Sequence, residues 1–188
     1  MGTIEFGQFM PSHLVEIDLI QRADGQFDTP VNIIYQDPNG KDWLAPAGTI
    51  TDGASIPNLF AGFFGGKLNK EFLFAAIVHD AYCAIANEGG PSYQIETWQD
   101  THHMFYHACL ANGTNRTKAS TMYAGVRLGG PRWSLQGEAF TDLSQVSAEV
   151  LQNEMAYCKD WIESKGDTLT LEEIDQWMTD REAGLLAN

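Results

Sequence analysis

The sequence predicts an α+β domain: a small N-terminal antiparallel β-sheet packed on a helical bundle, with an acidic helical hairpin at the C-terminus. Two observations support this. The first 60 residues contain β-rich stretches separated by turns, and from Asn69 onward apolar residues repeat at helical spacing. With 188 residues, 44% of them hydrophobic, the chain can bury a core. We expect residues 1–135 to form the main domain and 136–188 the extension.

Short runs that end at turns predict the strands. Residues 15–20 alternate apolar and polar side chains, and residues 31–35 form a β-rich run that ends at the turn sequence of residues 37–40, Asp-Pro-Asn-Gly. Residues 43–51 supply the return strand. The simplest arrangement is an antiparallel meander whose last strand runs into residues 51–57, TDGASIP.

Helical spacing and stop signals predict the helices. Asn69 is the expected N-cap of the first helix, whose apolar stripe includes His79 and Cys83 and ends before Gly-Gly-Pro at residues 89–91. A capping box of Thr170 and Glu173 is expected to open the last helix. The other helices are expected over residues 93–111, 117–128 and about 143–162.

Charge excludes one class of partner. The net charge is -14, and the 11 Lys and Arg residues are scattered, so the chain would repel nucleic-acid phosphates. Residues 138–188 hold 12 Asp or Glu against 3 Lys or Arg. We therefore expect this extension to be a solvated helical surface or to face a basic partner.

Cysteines and apolar runs indicate the compartment. The 3 cysteines form no Cys-x-x-Cys pair, which argues against a disulfide framework. No stretch approaches the roughly 20 apolar residues of a membrane helix, and the first residues lack the pattern of a signal peptide. We expect a chain without a transmembrane segment that is synthesised in the cytoplasm.

The candidate site centres on His79 and Asp80. A His next to an Asp in an apolar helix is costly to bury unless both find partners. Neighbouring helical side chains diverge by about 100°, so the two groups cannot serve each other. We expect His79 to receive an orienting carboxylate from another helix, and Asp80 to hold a cation or an arginine.

The expected orienting group is Asp100. Asp100, His103 and His107 share one face of the next helix, which can meet His79 if the helices pack antiparallel. We expect His102 to point elsewhere, into solvent. A His held by an Asp can act as a general base, and further carboxylates with His can bind a divalent metal. The alternative is a buried polar network that holds the helices together.

The segment TDGASIP also has two interpretations. Asp52 and the following glycine favour a tight turn in which Ser55 caps local amides. Alternatively, Thr51, Asp52 and Ser55 form an oxygen-rich loop suited to a hard cation or to substrate hydrogen bonds. Asp52, Asp80 and His103 are therefore the candidate ligands of a divalent metal, calcium or zinc.

Several segments occur in an order typical of one family: residues 51–57, 75–78, 79–82 (HDAY), Asp100 with Phe105, and 122–127. In this order the chain resembles the domain of unknown function family 1353 over roughly residues 31–127. The resemblance leaves the two C-terminal helices outside. It implies an origin in tailed bacteriophages or prophages, and it carries over no established activity.

A second resemblance concerns the site alone. Secreted calcium-dependent phospholipases also carry His-Asp followed closely by Tyr on one helix, with a supporting Asp on an antiparallel helix. By this resemblance His79 would activate water and Asp80 would ligate calcium. Asp100 would orient His79, and Tyr82 or Tyr106 would steady the network. The chain lacks the flanking disulfides and the glycine-rich calcium loop, so further cation oxygens would come from Asp52 and its turn.

Two functions of different classes follow. The first is a phage-encoded, metal-assisted hydrolase that uses His79, Asp80 and Asp100 on a component of the host envelope, either peptidoglycan or phospholipid. The second is a non-catalytic virion protein of the tail or capsid, which assembles with other virion proteins or with copies of itself. In the second, the His-Asp cluster is a buried polar network.

Overall fold

The computed structural model describes residues 5–10, 16–53 and 68–186. Expectations about Ser55 and the rest of residues 54–67 lie outside the described residues. The described part confirms the α+β prediction, with two three-stranded antiparallel sheets near the N-terminus followed by five α-helices.

The first sheet has the strand order β1-β4-β5, formed by Gln8–Met10, Ile33–Gln36 and Asp42–Ala45. Burial alternates along β4, and its fully buried side chains belong to the core. The predicted turn between β4 and β5 is confirmed, because the Asp37 carboxylate accepts the backbone N–H of Asn39 at 2.8 Å.

The second sheet has the order β2-β3-β6, formed by Ile20–Gln21, Phe27–Asp28 and Ile50–Thr51. The prediction of one meander with a single return strand over residues 43–51 is therefore wrong. Pro46 has no N–H, and Gly48 has a φ of 86°, so the chain turns there and β6 joins the other sheet. The Thr49 N–H closes this turn on the Pro46 carbonyl at 3.0 Å.

The helices are α1 (Leu73–Cys83), α2 (Trp98–Ala111), α3 (Arg116–Gly129), α4 (Ala148–Lys165) and α5 (Leu171–Leu186). Every residue of α1 is buried, because the helix packs against α2 and against β4, β5 and β6. Among the described helices, none has the length and apolar character needed to cross a membrane.

Side-chain caps fix several helix ends. The predicted capping box is confirmed: the Thr170 N–H donates to the Glu173 carboxylate at 2.9 Å, and the Glu173 N–H donates to the Thr170 hydroxyl at 3.2 Å. The second helix begins later than predicted, at Trp98, since Gln94 has a φ of 51° that no helix accommodates. The N-cap of α2 is Thr97, whose side chain accepts the Asp100 N–H.

A buried ionic group joins α5 to α3, and we call it the arginine cluster. It consists of Arg127, Arg132, Asp175 and Glu182. Glu182 accepts from both arginines at 2.9 Å, and Arg127 also donates to Asp175 at 2.5 Å. The apolar core continues from the sheets into α4 and α5. The proposed boundary at residue 135 lies between α3 and α4, and the independence of the two parts stays a prediction.

Candidate functional site

His79 and Asp80 are both buried on α1 and have different neighbours. His79 is 2% exposed and meets α2, whereas Asp80 is 0% exposed and meets β6. Their side chains leave the helix about 100° apart, so each contacts a separate element.

His79 is paired with a second histidine. Its Nε2 lies 2.9 Å from Nδ1 of His102, which is also fully buried, and the ring of Phe105 packs 4.9 Å from the His79 ring. Burial lowers the pKa of His79 to about 3 and holds the pKa of His102 well below its usual value. Both rings are therefore neutral at neutral pH, and one ring N–H donates to the other ring.

The Cys83 thiol lies one helical turn after His79. Its Sγ is 3.4 Å from Nδ1 and 3.7 Å from Nε2 of His79, and it donates to the His79 carbonyl oxygen at 3.2 Å. A sulfur nearly equidistant from both ring nitrogens is aligned with the lone pair of neither. Burial, followed by the charge of Asp80, raises the thiol pKa well above its usual value. The arrangement favours a neutral thiol over a nucleophilic thiolate.

Asp80 connects α1 to the turn that follows β6. The Thr51 hydroxyl donates to its carboxylate at 2.6 Å and accepts the Gly53 N–H at 3.0 Å. The Asn87 amide donates to the backbone carbonyls of Asp80 and Ile50 at 2.9 and 2.8 Å. These bonds hold the start of the TDGASIP segment against α1.

An open cleft of about 430 Å³ lies between this turn and the end of α1. Asp52, Asp80 and Cys83 line one part of it, and Tyr93 and Pro131 line another. Carboxylate oxygens suit hard cations. Within the described ranges, however, no three His, Cys, Asp or Glu side chains are grouped to hold a metal. The described residues alone do not fit a calcium or zinc site.

Asp100 does not lie beside His79. It is exposed in the first turn of α2, where its carboxylate accepts from the Thr97 hydroxyl at 2.8 Å. His102, expected in solvent, takes the position next to His79 because the buried stripe of α2 includes it. Two residues of helix separate Asp100 from His102 by about 200°, which turns the carboxylate away from α1.

His103 is also placed apart from the cleft. Its Nε2 lies 2.7 Å from the carboxylate of Asp175, so it joins α2 to α5. The structure does not bring His103 together with Asp52 and Asp80. His107, on the same face of α2, is partly buried, which lowers its pKa.

Tyr82 faces the first sheet. Its hydroxyl accepts the Leu44 N–H at 3.2 Å, and its ring packs 5.0 Å from the ring of Trp43. It therefore supports the junction between α1 and β5 and does not contact the histidine pair.

Comparison with known proteins gives a family. A model for the family described as a protein of unknown function (DUF1353) matches residues 29–126, more than half of the chain. The chain belongs to the DUF1353 family. It is 36% identical over 62% of its length to the uncharacterized protein y4jT of Sinorhizobium fredii, and 33% identical over 74% to the uncharacterized protein y4iH of the same organism.

The chain spans 32% of the first of these relatives and 64% of the second, so it covers less than two thirds of either. No solved structure gives a significant match. The DUF1353 region contains β4 to β6 and α1 to α2, together with most of α3. It thus includes His79, His102 and most of the residues that line the cleft, but not Pro131.

Sequence reasoning missed two residues of the DUF1353 region. His102 belongs to the spacing i, i+4, i+7 and i+11 with Trp98, Phe105 and Cys109, all of which are buried. That stripe can be recognised in the sequence, and it predicts that the His102 side chain points into the protein. Asn87 lies in a short 3-10 turn, Ile85–Asn87. No periodic pattern in the sequence predicts the hydrogen bonds of its side-chain amide.

Proposed function

We propose that this DUF1353 protein is a non-catalytic assembly protein whose His-Asp cluster is a buried polar network. The observation that supports this most is the neutral pair of His79 and His102, closed inside the protein at 2.9 Å. A general base works best with a pKa near the working pH. A pKa of about 3 makes His79 a weak base at neutral pH.

The contacts of the HDAY sequence support the same proposal. His79 contacts α2, the Asp80 carboxylate contacts β6, and the Tyr82 hydroxyl contacts β5. Each polar side chain of the motif thus attaches α1 to a different element. Buried hydrogen bonds between elements favour one arrangement of a core.

The proposed setting is a particle of a tailed bacteriophage or prophage, as the family resemblance suggests. The chain would be synthesised in the host cytoplasm and join other virion proteins, or copies of itself, in the tail or capsid. Its acidic charge argues against a nucleic-acid partner.

The test is fractionation of particles from an induced lysogen that encodes the chain. We expect the protein to sediment with tails, capsids or complete particles at a fixed copy number, measured by quantitative mass spectrometry. A His79→Asn variant that retains the wild-type circular dichroism spectrum should be incorporated equally. Absence of the chain from both particles and assembly intermediates would overturn the proposal.

The cleft favours a second candidate function, metal-assisted hydrolysis of peptidoglycan or phospholipid. Asp52 and Asp80 line it and would supply carboxylate oxygens to calcium or zinc. His79 would accept a proton from water, oriented by His102. Because the described side chains do not complete a three-ligand group, this candidate requires a ligand from outside the described residues.

Thermal melting separates the two candidates. The wild type and Asp52→Asn are melted with calcium, magnesium, manganese or zinc, and Asp100→Asn is the matched control. A ligand at 100 times its Kd adds about 2.7 kcal/mol to the unfolding free energy. A shift with one metal that persists in the control and disappears in Asp52→Asn would favour hydrolysis. The absence of any shift supports the assembly role.

A further inference from the structure

The outer face of the α4–α5 hairpin carries three neighbouring aromatic rings, which we call the aromatic stack. Trp161 and Trp177 lie face to face at 4.2 Å with an interplanar angle of 7°, and Tyr157 stacks on Trp177 at 5.7 Å. Tyr157 is 52% exposed, and both tryptophans are only partly buried. Large aromatic rings on a surface are typical anchors of protein interfaces.

A cleft of about 490 Å³ lies beside the stack. Its apolar lining comes from Trp161, Trp177 and Leu169. Glu173 and Asp180 contribute two carboxylates. Their hydrogen bonds are local, to the Thr170 N–H and the Gln176 amide. Neither carboxylate forms an ion pair with another described residue. Lys165 also lines the cleft, but it forms no ion pair with either carboxylate. Aromatic faces thus lie next to acidic groups that form no ion pair with a described residue.

Charge indicates the sign of the partner. Residues 138–188, which contain the whole hairpin, have a net charge of -9 from 12 acidic and 3 basic residues, within a chain of net charge -14. Such a surface attracts cationic segments and repels a second copy of itself. An acidic or purely apolar partner would leave the carboxylates unpaired.

The stack already contacts two cations of its own chain. The Arg181 guanidinium lies 4.4 Å from the centre of the Tyr157 ring, fixed by two bonds to Glu154 at 2.6 and 2.7 Å. The Lys165 ammonium lies 6.0 Å from the Trp161 ring, at the outer limit of a cation–π contact. A guanidinium from a partner would stack better on Trp161 than this distant ammonium.

We propose that the aromatic stack and its cleft are the docking site for an arginine-bearing basic segment of a partner protein. A guanidinium stacks on Trp161, and neighbouring basic groups pair with Glu173 and Asp180. The biological purpose of this docking rests on the proposed assembly role. Its physical basis does not, because the surface lies on a different part of the molecule from the histidine pair.

The test uses a capped octapeptide of alternating glycine and arginine, with the same peptide carrying citrulline as the neutral control. Binding to the full chain is followed by calorimetry and by tryptophan fluorescence, at about 0.02 M and about 0.15 M salt. We expect the arginine peptide to bind and the citrulline peptide not to bind. Affinity should fall as salt rises.

Variants locate the site. Trp161→Ala and the pair Glu173→Gln with Asp180→Asn should each weaken binding about fivefold, as expected for losing a cation–π contact or two exposed ion pairs. Lys165→Gln should tighten it by removing the competing ammonium. The matched control, Glu149→Gln with Asp160→Asn, makes the same charge change outside the lining residues and should weaken binding less than twofold.

Three outcomes would overturn this inference: equal binding of both peptides, equal weakening by both charge pairs, or no effect of Trp161→Ala. The failure of this proposal can be distinguished from failure of the assembly role. A chain found in particles that does not bind the arginine peptide retains the assembly role and loses the docking site. A chain that binds the arginine peptide but is absent from particles retains the docking site and loses the assembly role.

Discussion

The histidine pair and the arginine cluster bury polar groups in two different ways. His79 and His102 are neutral and pair with each other at 2.9 Å. Arg127 and Glu182 carry full charges and form a 2.9 Å ion pair with little exposure of either side chain. The neutral pair joins helices inside the DUF1353 region, and the ionic cluster attaches α5, which lies outside that region. A neutral pair costs less to desolvate, while an ionic cluster costs more to break.

The histidine pair and the arginine cluster should also lose their contributions to stability at different pH values. The histidine pair is stable only while both rings are neutral, so acid weakens it from about pH 6.5 downward. Burial alone would raise the pKa of Asp175, but hydrogen bonds from His103 and Tyr123 and the charge of Arg127 hold it below its usual value. That carboxylate therefore stays charged until a much lower pH.

The largest effect is expected from breaking the arginine cluster with Arg127→Met. The substitution removes the guanidinium and leaves Glu182 and Asp175 with fewer partners. We expect a loss of about 3–5 kcal/mol in unfolding free energy, measured by urea denaturation. The control, Arg22→Met, removes two partly exposed ion pairs, to Asp24 and Asp28, and should cost less than about 1 kcal/mol. Similar losses in both variants would show that burial of the cluster contributes nothing.

The next effect is acid destabilisation through the histidine pair. Because the folded pKa of His79 is about 3, the unfolded chain binds protons first as pH falls below about 6.5. The contribution of His79 to the unfolding free energy is fully present above that pH and falls by about 2 kcal/mol at pH 5. His102, whose pKa is also lowered by burial, acts in the same direction.

Urea denaturation at a series of pH values from about 7.5 to about 5 measures how the unfolding free energy changes with pH. The double variant His79→Gln with His102→Gln should have a flatter slope, since neither position can then titrate. An unchanged slope in the double variant would assign acid sensitivity to other groups.

A smaller effect is expected at β6 from Thr51→Val. The change is close to isosteric and removes the hydroxyl that donates to Asp80 and accepts from Gly53. We expect a loss of about 1–3 kcal/mol by thermal or urea denaturation, because a buried carboxylate loses a donor. Thr117→Val, whose exposed hydroxyl contacts Asp167, is the control and should change stability by less than about 0.5 kcal/mol.

The smallest effect is expected from Asp100→Asn. The side chain is exposed and contacts only the helix cap in its hydrogen bonds, through Thr97. Stability should change by about 0.5 kcal/mol or less, and the acid slope assigned to His79 should be unaffected. A large change in that slope would restore the idea that Asp100 orients His79.

The sequence predicted the helices better than the sheets. Helical stripes and the capping box of Thr170 and Glu173 are local signals that tertiary contacts did not override. The division of residues 43–51 between two sheets depends on which strand each half pairs with, and pairing partners distant in sequence leave no periodic mark. The sequence feature that indicates this division is the pair of turn residues Pro46 and Gly48.

For the site, the sequence predicted that His79 and Asp80 need partners, and it gave Thr51 as an oxygen of a loop for a cation or a substrate. In the structure the Thr51 hydroxyl instead donates to the Asp80 carboxylate. It placed Asp100 and His103 on one helix face, but it assigned that face the wrong neighbour. The direction of a helix face depends on the full buried stripe, and counting His102 with Trp98 would have corrected it.

The Asn87 amide has a consequence for aggregation. The strand β6 lies at the edge of its sheet, in the order β2-β3-β6. Asn87 accepts the N–H of Ile50 at 2.8 Å and donates to its carbonyl at 2.8 Å, the same pair of bonds that a neighbouring strand would make. An exposed edge is a template for pairing with another chain. Here one side chain satisfies the edge from within, so copies of the protein cannot add to the sheet at Ile50.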